Sequence, residues 1–291
     1  LHGEGHSFPT RRSSDLGRRL YHELPPTVQP VGFLVEGEAG AAPATADPPQ
    51  GNWPLTPTMA SVRATDVELT ADGARFTLVT GTGAAVPVTT RLLGRYNVAN
   101  VVASLALVEA CGLDTAAAAA AVAGFRGVPG RMEPVDVGQP FRVVVDYAHT
   151  ADALANALTM LRDITPGRLI TLFGCGGDRD RSKRPLMVEA AQRLGDLSFA
   201  TADNPRRECL EQIFRDMRKG VIDDSAIQFI DDRRLAISRA LDAARPGDTV
   251  LIAGKGHETF QEFADTVQTF DDHQVAQELL RCKGFDGSNP Q

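Results

Sequence analysis

Between residues 143 and 254 the hydrophobic period of the chain switches repeatedly, and few folds tolerate that pattern. The runs VVVD (143–146), LITLFG (169–174), LSFATAD (197–203), IQFIDD (227–232) and TVLIAG (249–254) are apolar and strand-like, and each is read as leading into a helical segment. Strands that alternate with helices connect as right-handed βαβ units. The expected fold is therefore α/β, a Rossmann-like, mostly parallel sheet with helices on both faces. Ligands of such sheets collect beyond the carboxyl ends of the strands, and the polar motifs of this chain fall there.

The chain before residue 127 reads differently. Ser61 to Val88 alternates apolar and polar residues, with turn signals at Asp72-Gly73 and Gly81 to Gly83, which predicts an antiparallel meander. Val98, Val101, Val102, Leu105 and Val108 mark one face of a helix that stops at Gly112. Asp114 is placed to cap a second helix that runs through alanines to about Gly124. Gly17 to Gln50, rich in Pro, Ala and Gly, suggests loops around a short strand at Val31 to Val35. Leu1 to Leu16 (LHGEGHSFPTRRSSDL) shows neither period and resembles translated adapter sequence, so it is set aside as a non-native segment. GVPG at 127–130 marks a hinge, which divides the rest into residues 17–128 and 129–291.

Bulk properties narrow the function. A net charge of −7 argues against a broad phosphate-neutralising surface, so nucleic acid is excluded as the partner. The four cysteines, Cys111, Cys175, Cys209 and Cys282, lie far apart, which fits reduced thiols in the cytoplasm better than disulfides or a zinc site. No apolar run approaches the ~18 residues that span a bilayer, so no membrane insertion is expected.

Five segments concentrate polar and glycine residues at strand ends or at the hinge. They are Gly94-Arg95-Tyr96-Asn97-Val98-Ala99-Asn100, Gly130-Arg131-Met132-Glu133, Asp146-Tyr147-Ala148-His149-Thr150, Gly174-Cys175-Gly176-Gly177-Asp178-Arg179-Asp180 and Gly254-Lys255-Gly256-His257-Glu258. Asp203-Asn204-Pro205-Arg206 follows the third strand run. Each is weak alone. In this order, over roughly Arg63 to Leu280, they resemble the Mur ligase family, most closely its diaminopimelate-adding members.

The resemblance implies an ATP-dependent amide ligase of peptidoglycan precursor synthesis, and so of cell-wall growth, cell shape and division. In such enzymes the terminal carboxylate of a UDP-N-acetylmuramoyl dipeptide is phosphorylated by ATP with Mg2+. The amine of meso-diaminopimelate then attacks the acyl phosphate. Residues 17–128 would be the tail of a central ATPase domain and 129–291 a complete C-terminal domain. The phosphate loop that the chemistry requires is not found, because Gly254-Lys255 is followed by Gly256 and preceded at the fifth position by Thr249. The chain is expected to be inactive alone, with no certain catalytic residue and no metal ligand.

Residue by residue, the resemblance assigns Asn97, Asn100, Arg131, Asp146 and His149 to the nucleotide. Helix capping is the plain alternative for the asparagines, a surface ion pair for Arg131 and Asp146, and a structural histidine for His149. No second His or Cys stands at ligand spacing from His149, which argues against a metal there. Ala151 departs from the family pattern, which has Pro after the Thr. The meso-diaminopimelate set is Arg179, Asp203, Asn204, Pro205, Arg206, Gly254 and Glu258. Arginines offer forked donors to carboxylates and a glutamate accepts from an ammonium. Asn-Pro is also a common turn, the alternative for the tetrapeptide.

Two rival ligases share this plan. A lysine-adding enzyme usually lacks the Arg at position 206, and folylpolyglutamate synthetases lack the complete tetrapeptide. A non-catalytic amino-acid-binding module remains an alternative for the chain alone. A dinucleotide-dependent dehydrogenase is set aside, because Gly174-Cys175-Gly176-Gly177 does not continue to the third glycine of that fingerprint.

Overall fold

The computed structural model describes residues 32–35, 61–70 and 72–286. The non-native segment read at 1–16 and most of the loops read at 17–50 lie outside the described residues. Packing divides the described chain into two compact units between Arg126 and Gly127.

In the first unit, β1 (Gly32–Val35), β2 (Ser61–Thr70), β3 (Gly73–Val79) and β4 (Ala85–Thr90) form one sheet in that order. The β2-β3-β4 meander is antiparallel as the alternation predicts, while β1 joins β2 in parallel. The register shifts between Thr65 and Glu68, where Asp66 takes a left-handed φ of 54°. Helix α1 (Arg95–Ala110) lays Val98, Val101, Val102 and Leu105 on Val62, Ala64, Phe76, Leu78 and Val88 of the sheet. Helix α2 (Thr115–Val122) starts where Asp114 accepts from the Ala116 and Ala117 N–H groups at 2.9 and 3.0 Å.

The second unit carries the α/β sheet, in the order β5-β6-β10-β7-β8-β9. Its parallel strands are β6 (Arg142–Asp146), β7 (Leu169–Cys175), β8 (Leu197–Ala202), β9 (Ile227–Ile230) and β10 (Thr249–Ala253). A two-residue strand, β5 (Glu133–Pro134), runs antiparallel along the edge of β6. Every residue of β7 and β10 is buried, which accounts for their unbroken apolar runs. Helices α3 (Ala151–Asp163), α4 (Lys183–Leu194), α5 (Leu210–Arg218) and α6 (Arg233–Ala243) connect successive strands.

The pleat sends alternate side chains to opposite faces. Val143, Val145, Ile170, Leu172, Phe199, Val250 and Ile252 share one core with α6 and with α7 (Asp272–Cys282). Helices α3 and α4 cover the other face, burying Leu154, Leu158 and Leu161 from one and Met187, Val188 and Ala191 from the other.

One expectation needs correction. The last strand does not lead directly into a helix. After β10 the chain forms an antiparallel ribbon, β11 (Phe260–Glu262) and β12 (Val267–Thr269), before α7 begins. The ribbon is too short, and β12 too exposed, to impose a strand signal on the sequence. Among the described residues no helix is long and apolar enough to cross a membrane.

The strand order reverses around β10, which enters between β6 and β7 after the chain has reached β9. The carboxyl ends of β6, β7, β8 and β10 are thereby drawn together. Arg233, at the start of α6, lies behind them with its side chain fully buried. It grips Asp272 through Nε to Oδ1 at 2.8 Å and Nη2 to Oδ2 at 2.7 Å, and donates to the Ala202 and Ala253 carbonyls at 3.2 and 3.0 Å. Breaking a buried pair by removing one charge costs about 3–5 kcal/mol. Asp272→Asn should lower protection in native-state hydrogen exchange at β8 and β10 by that amount. A loss under about 1 kcal/mol would mean the pair is not what secures these strand ends.

Candidate functional site

Two loops meet at the end of β6. Asp146 is buried there; its Oδ2 accepts from the Met132 N–H at 2.9 Å and its Oδ1 from the Ala148 N–H at 2.8 Å. Burial raises its pKa above the ordinary aspartate value, against the lowering influence of those N–H groups and of the Arg131 charge. Both oxygens thus take part in holding the two loops, and burial of the side chain sets aside the surface ion pair.

What the loops present is built around Tyr147. The Arg131 guanidinium lies over its ring at 4.9 Å, the His149 ring meets it edge-on at 4.7 Å, and the His257 ring lies 5.4 Å away. His149 Nδ1 is 2.9 Å from the Tyr147 carbonyl, and Lys183 Nζ donates to the His149 carbonyl at 2.7 Å. Burial, with the charges of Glu258 and Asp203, raises the Tyr147 pKa, which keeps the phenol protonated. Glycine makes the close approach possible. A Cβ on Gly130 would lie 2.1 Å from the His257 nitrogen, and one on Gly256 would lie 2.7 Å from Tyr147 Cβ. Thr150 caps α3 by accepting from Ala153 N–H at 3.2 Å, so Ala151 in place of Pro leaves the helix start intact.

The tetrapeptide after β8 forms a second cluster. Asp203, Asn204 and Pro205 are buried, and Arg206 is partly buried with a left-handed φ of 52°. The Asn204 amide donates to Glu258 Oε2 at 2.9 Å, and its oxygen accepts from Lys255 Nζ at 3.1 Å and the Glu262 N–H at 3.0 Å. Lys255 is fully buried and also reaches Glu258 Oε2 at 3.2 Å. Arg206 donates through Nε to Glu262 Oε2 at 2.9 Å and through Nη1 to the Gly177 carbonyl at 3.0 Å. A Cβ on Gly254 would come within 2.9 Å of Asp203 Oδ2, which puts Glu258's loop directly against this strand end.

Arg179 is exposed and, among the described residues, its hydrogen bond goes to the Asp178 carbonyl of its own loop, at 3.3 Å. Its neighbourhood is nonetheless defined. A Cβ on Gly176 would lie 3.1 Å from Arg206 Nη1 and 3.8 Å from Arg179 Cγ, so the two arginines flank one spot. The loop is anchored from below. Arg184, fully buried, forks onto Glu208 at 2.8 and 2.6 Å and reaches Asp216 at 3.0 Å, while Glu208 also accepts from the Asp178 N–H at 3.2 Å.

The structure therefore brings Asp203, Asn204, Arg206, Gly254 and Glu258 together, sets Arg179 at their margin, and places Arg131, Asp146 and His149 around Tyr147 in the same unit. Asn97 and Asn100 belong to the other unit. Asn97 does not cap its helix; the cap position is Gly94, and the Asn97 amide donates back to the Leu93 carbonyl at 2.8 Å, while Asn100 donates to Asn97 Oδ1 at 3.2 Å. Tyr147, Lys255 and His257 lie within motifs legible in the sequence but had no role assigned, and Gln261 and Glu262 lie outside them; burial of the lysine had no sequence signal. Among the described residues no three His, Cys, Asp or Glu side chains are grouped to hold a metal.

Comparison with known proteins adds three findings. Residues 130–256 match the family described as Mur ligase, glutamate ligase domain. The chain is 47% identical over 221 residues to the UDP-N-acetylmuramoyl-L-alanyl-D-glutamate–2,6-diaminopimelate ligase of Geobacillus thermodenitrificans, a match covering 76% of this chain and 45% of that protein. The ligase of the same name from Streptomyces coelicolor is 41% identical over 272 residues, covering 92% of this chain and 50% of its own length. A solved structure of a ligase of that name superposes with a TM-score of 0.61 at 40% identity, covering 77% of this chain and 46% of the other. The chain spans about half the length of the curated relatives it matches.

The anchored loop should be acid-sensitive. Hydrogen bonds from Arg184 hold the Glu208 carboxyl below its ordinary value of 4.5, and Lys219, then Arg184, do the same for Asp216. Groups with a depressed folded pKa contribute stability that is present above their unfolded pKa and is lost as pH falls through the folded one. Urea unfolding of wild type and Glu208→Gln at pH 7, 5, 4 and 3 should show a stability gap that is widest at pH 7 and narrows below about pH 4.5. A gap constant with pH would mean the Glu208 charge is not the source.

Proposed function

The chain belongs to the Mur ligase family through its glutamate ligase domain, and on that premise we propose that it is part of an ATP-dependent amide ligase that adds meso-2,6-diaminopimelate to UDP-N-acetylmuramoyl-L-alanyl-D-glutamate in the cytoplasm. The observation that carries the reading is the mixed-charge cluster at the ends of β8 and β10, where Arg206, Asn204 and Glu258 stand together with Arg179 beside them.

Meso-diaminopimelate carries an ammonium and a carboxylate at each end. The end that does not react needs a forked cation for its carboxylate and an acceptor for its ammonium. Arg206 keeps its Nη2 free of hydrogen bonds among the described residues, and Glu258 keeps its Oε1 free. These two groups would read the distal carboxylate and ammonium, with Arg179 as a second cation at the rim. Holding that end fixes where the other amine lies, so the amine is presented to an activated dipeptide carboxylate without free diffusion.

In the proposed reaction the dipeptide carboxylate is activated as an acyl phosphate at the expense of ATP, and the bound amine displaces phosphate to form the amide. Arg131, His149 and His257, grouped on Tyr147, form a cationic and aromatic surface suited to a nucleotide; for Asn97 and Asn100, in the other unit, a nucleotide role is supported by the family resemblance alone. Asp146 contributes by fixing the loops of Arg131 and Tyr147. Magnesium would neutralise phosphate charge in such a transfer. The described residues do not form a metal site, so no step is assigned to magnesium through them.

The selectivity test follows from lysine, which lacks the distal carboxylate. Calorimetric titration of this chain should show meso-diaminopimelate binding well above lysine. Arg206→Ala should weaken diaminopimelate by at least about tenfold, a loss of about 1.4 kcal/mol, and change lysine by less than about twofold. Equal loss of both would reduce Arg206 to a loop support. No detectable preference in the wild type would remove the diaminopimelate reading.

A further inference from the structure

The ribbon β11–β12 touches three of the four residues of the tetrapeptide, and one of its residues, Glu262, is engaged three times, twice through its backbone and once through its side chain. Gln261 Nε2 donates to the Asp203 carbonyl at 3.0 Å. The Glu262 N–H donates to Asn204 Oδ1 at 3.0 Å, its carbonyl accepts from the Arg206 N–H at 3.0 Å, and its carboxylate accepts from Arg206 Nε at 2.9 Å. A short bridge from Arg206 to Phe263 extends the pairing. Residue 262 therefore sets both the backbone of Arg206, held at a φ that arginine rarely adopts, and the plane of its guanidinium.

The direction of that plane matters because a guanidinium binds carboxylates through edges. The Nε edge faces Glu262, and one Nη1 hydrogen faces the Gly177 carbonyl. Nη2 has no hydrogen bond among the described residues, and a Cβ at Gly176 would lie 3.1 Å from Nη1, which leaves the Nη1–Nη2 edge for a ligand. Without Glu262 the arginine, already one-fifth exposed, is free to rotate about its long stem, and a fork that must be re-ordered on binding forfeits part of its affinity.

We propose that Glu262 is a positioning residue for ligand recognition: its carboxylate orients Arg206 so that the Nη1–Nη2 edge is presented to the distal carboxylate of a diamino diacid. This rests on the diaminopimelate reading of the site. Glu262 is not itself a contact to the reacting atoms. Its side chain is two-fifths exposed, so its replacement leaves no buried charge behind and the fold is retained.

The test uses the whole chain with Glu262→Ala and Glu262→Gln, titrated with meso-diaminopimelate and with lysine, together with the Arg206 Nε–Hε signal in proton–nitrogen correlation spectra, assigned through Arg206→Lys. In the wild type that signal should exchange slowly with water. Glu262→Ala should abolish it, weaken diaminopimelate by about tenfold, and leave lysine within about twofold, whereas Glu262→Gln, which retains an acceptor oxygen, should restore most of both signal and affinity.

Three results overturn the proposal. Diaminopimelate binding that is unchanged or tighter in Glu262→Ala would make the carboxylate a bystander or a competitor. Equal loss of both amino acids would make the ribbon a mere scaffold. A slow-exchanging Nε–Hε signal that persists in Glu262→Ala would show that the carboxylate does not hold the arginine. If the wild type binds neither amino acid, the diaminopimelate reading fails separately, and the Nε–Hε signal still decides whether Glu262 orients Arg206.

Discussion

Arg233 and Asp272 are both withdrawn from water entirely, and the guanidinium places four of its five N–H donors on two carboxylate oxygens and two main-chain carbonyls. Removing two ions from water is expensive, and the mutual attraction repays it only when geometry is good and the remaining donors are satisfied. Here the contact is bidentate, and two further donors end on main-chain carbonyls. Asp272 sits at the first turn of α7, where a carboxylate suits the helix dipole, whereas Arg233 at the first turn of α6 does not, and the pair cancels the mismatch. The two carbonyls it takes belong to the last residues of β8 and β10. Asp203 and Gly254 leave the sheet from those atoms, so the directions of the tetrapeptide and of the 254–258 loop are fixed by a contact that never meets the ligand.

The alternation of period between residues 143 and 254 was enough to read the α/β sheet, because four largely buried strands, a shorter edge strand and four connecting helices repeat the switch of pattern. Asp72-Gly73, Gly94, Gly112 and Asp114 marked real boundaries, since each position demands a turn, a positive φ or a cap. The ribbon at 260–269 was not legible. Its strands have three residues each, and their identity follows from pairing with one another and with Arg206, which no local pattern encodes. The same division runs through the site. The residue types of Asp203 to Arg206 and Glu258 suffice to suggest a reader of charged ends. Burial of Lys255, the double engagement of Asp146, and the grip of Glu262 arise from contacts between segments more than fifty residues apart or across a loop, and sequence carries no trace of them.

Strain in the second unit collects at the same strand ends. Met132, Asp178 and Arg206 are its non-glycine residues with left-handed φ, and Gly130, Gly254 and Gly256 share that sign. Such conformations cost roughly 1–3 kcal/mol each and persist only where the surroundings over-determine them. Here they are over-determined by interlock. Met132 is held by Asp146, Asp178 by Glu208 and Arg207, and Arg206 by Glu262 and Gly177. A Cβ on Gly177 would fall 1.8 Å from the Pro205 carbonyl oxygen, which shows how tightly the arginine loops are pressed together. Four loops from four strand ends therefore behave as one body, and distances between their side chains are set before a ligand arrives.

That preorganisation gives the charge balance of the site its meaning. Lys255 is a buried ammonium that a cluster of ligand-binding carboxylates would otherwise lack, and it shares Glu258 Oε2 with the Asn204 amide. The shared oxygen is saturated, while Oε1 keeps its lone pairs. Glu262 does the complementary thing on the other side, using the Nε edge of Arg206 and leaving the terminal edge open. An unliganded pocket with a bare carboxylate and a bare guanidinium would close on itself in an ion pair and have to be reopened. Giving each charge a partner on one side opposes that collapse and leaves the other side for the proposed ligand. One acceptor and one guanidinium are thereby left with open valences in the same cluster, an arrangement that under the proposed function suits a zwitterionic end group better than either a simple amine or a simple acid.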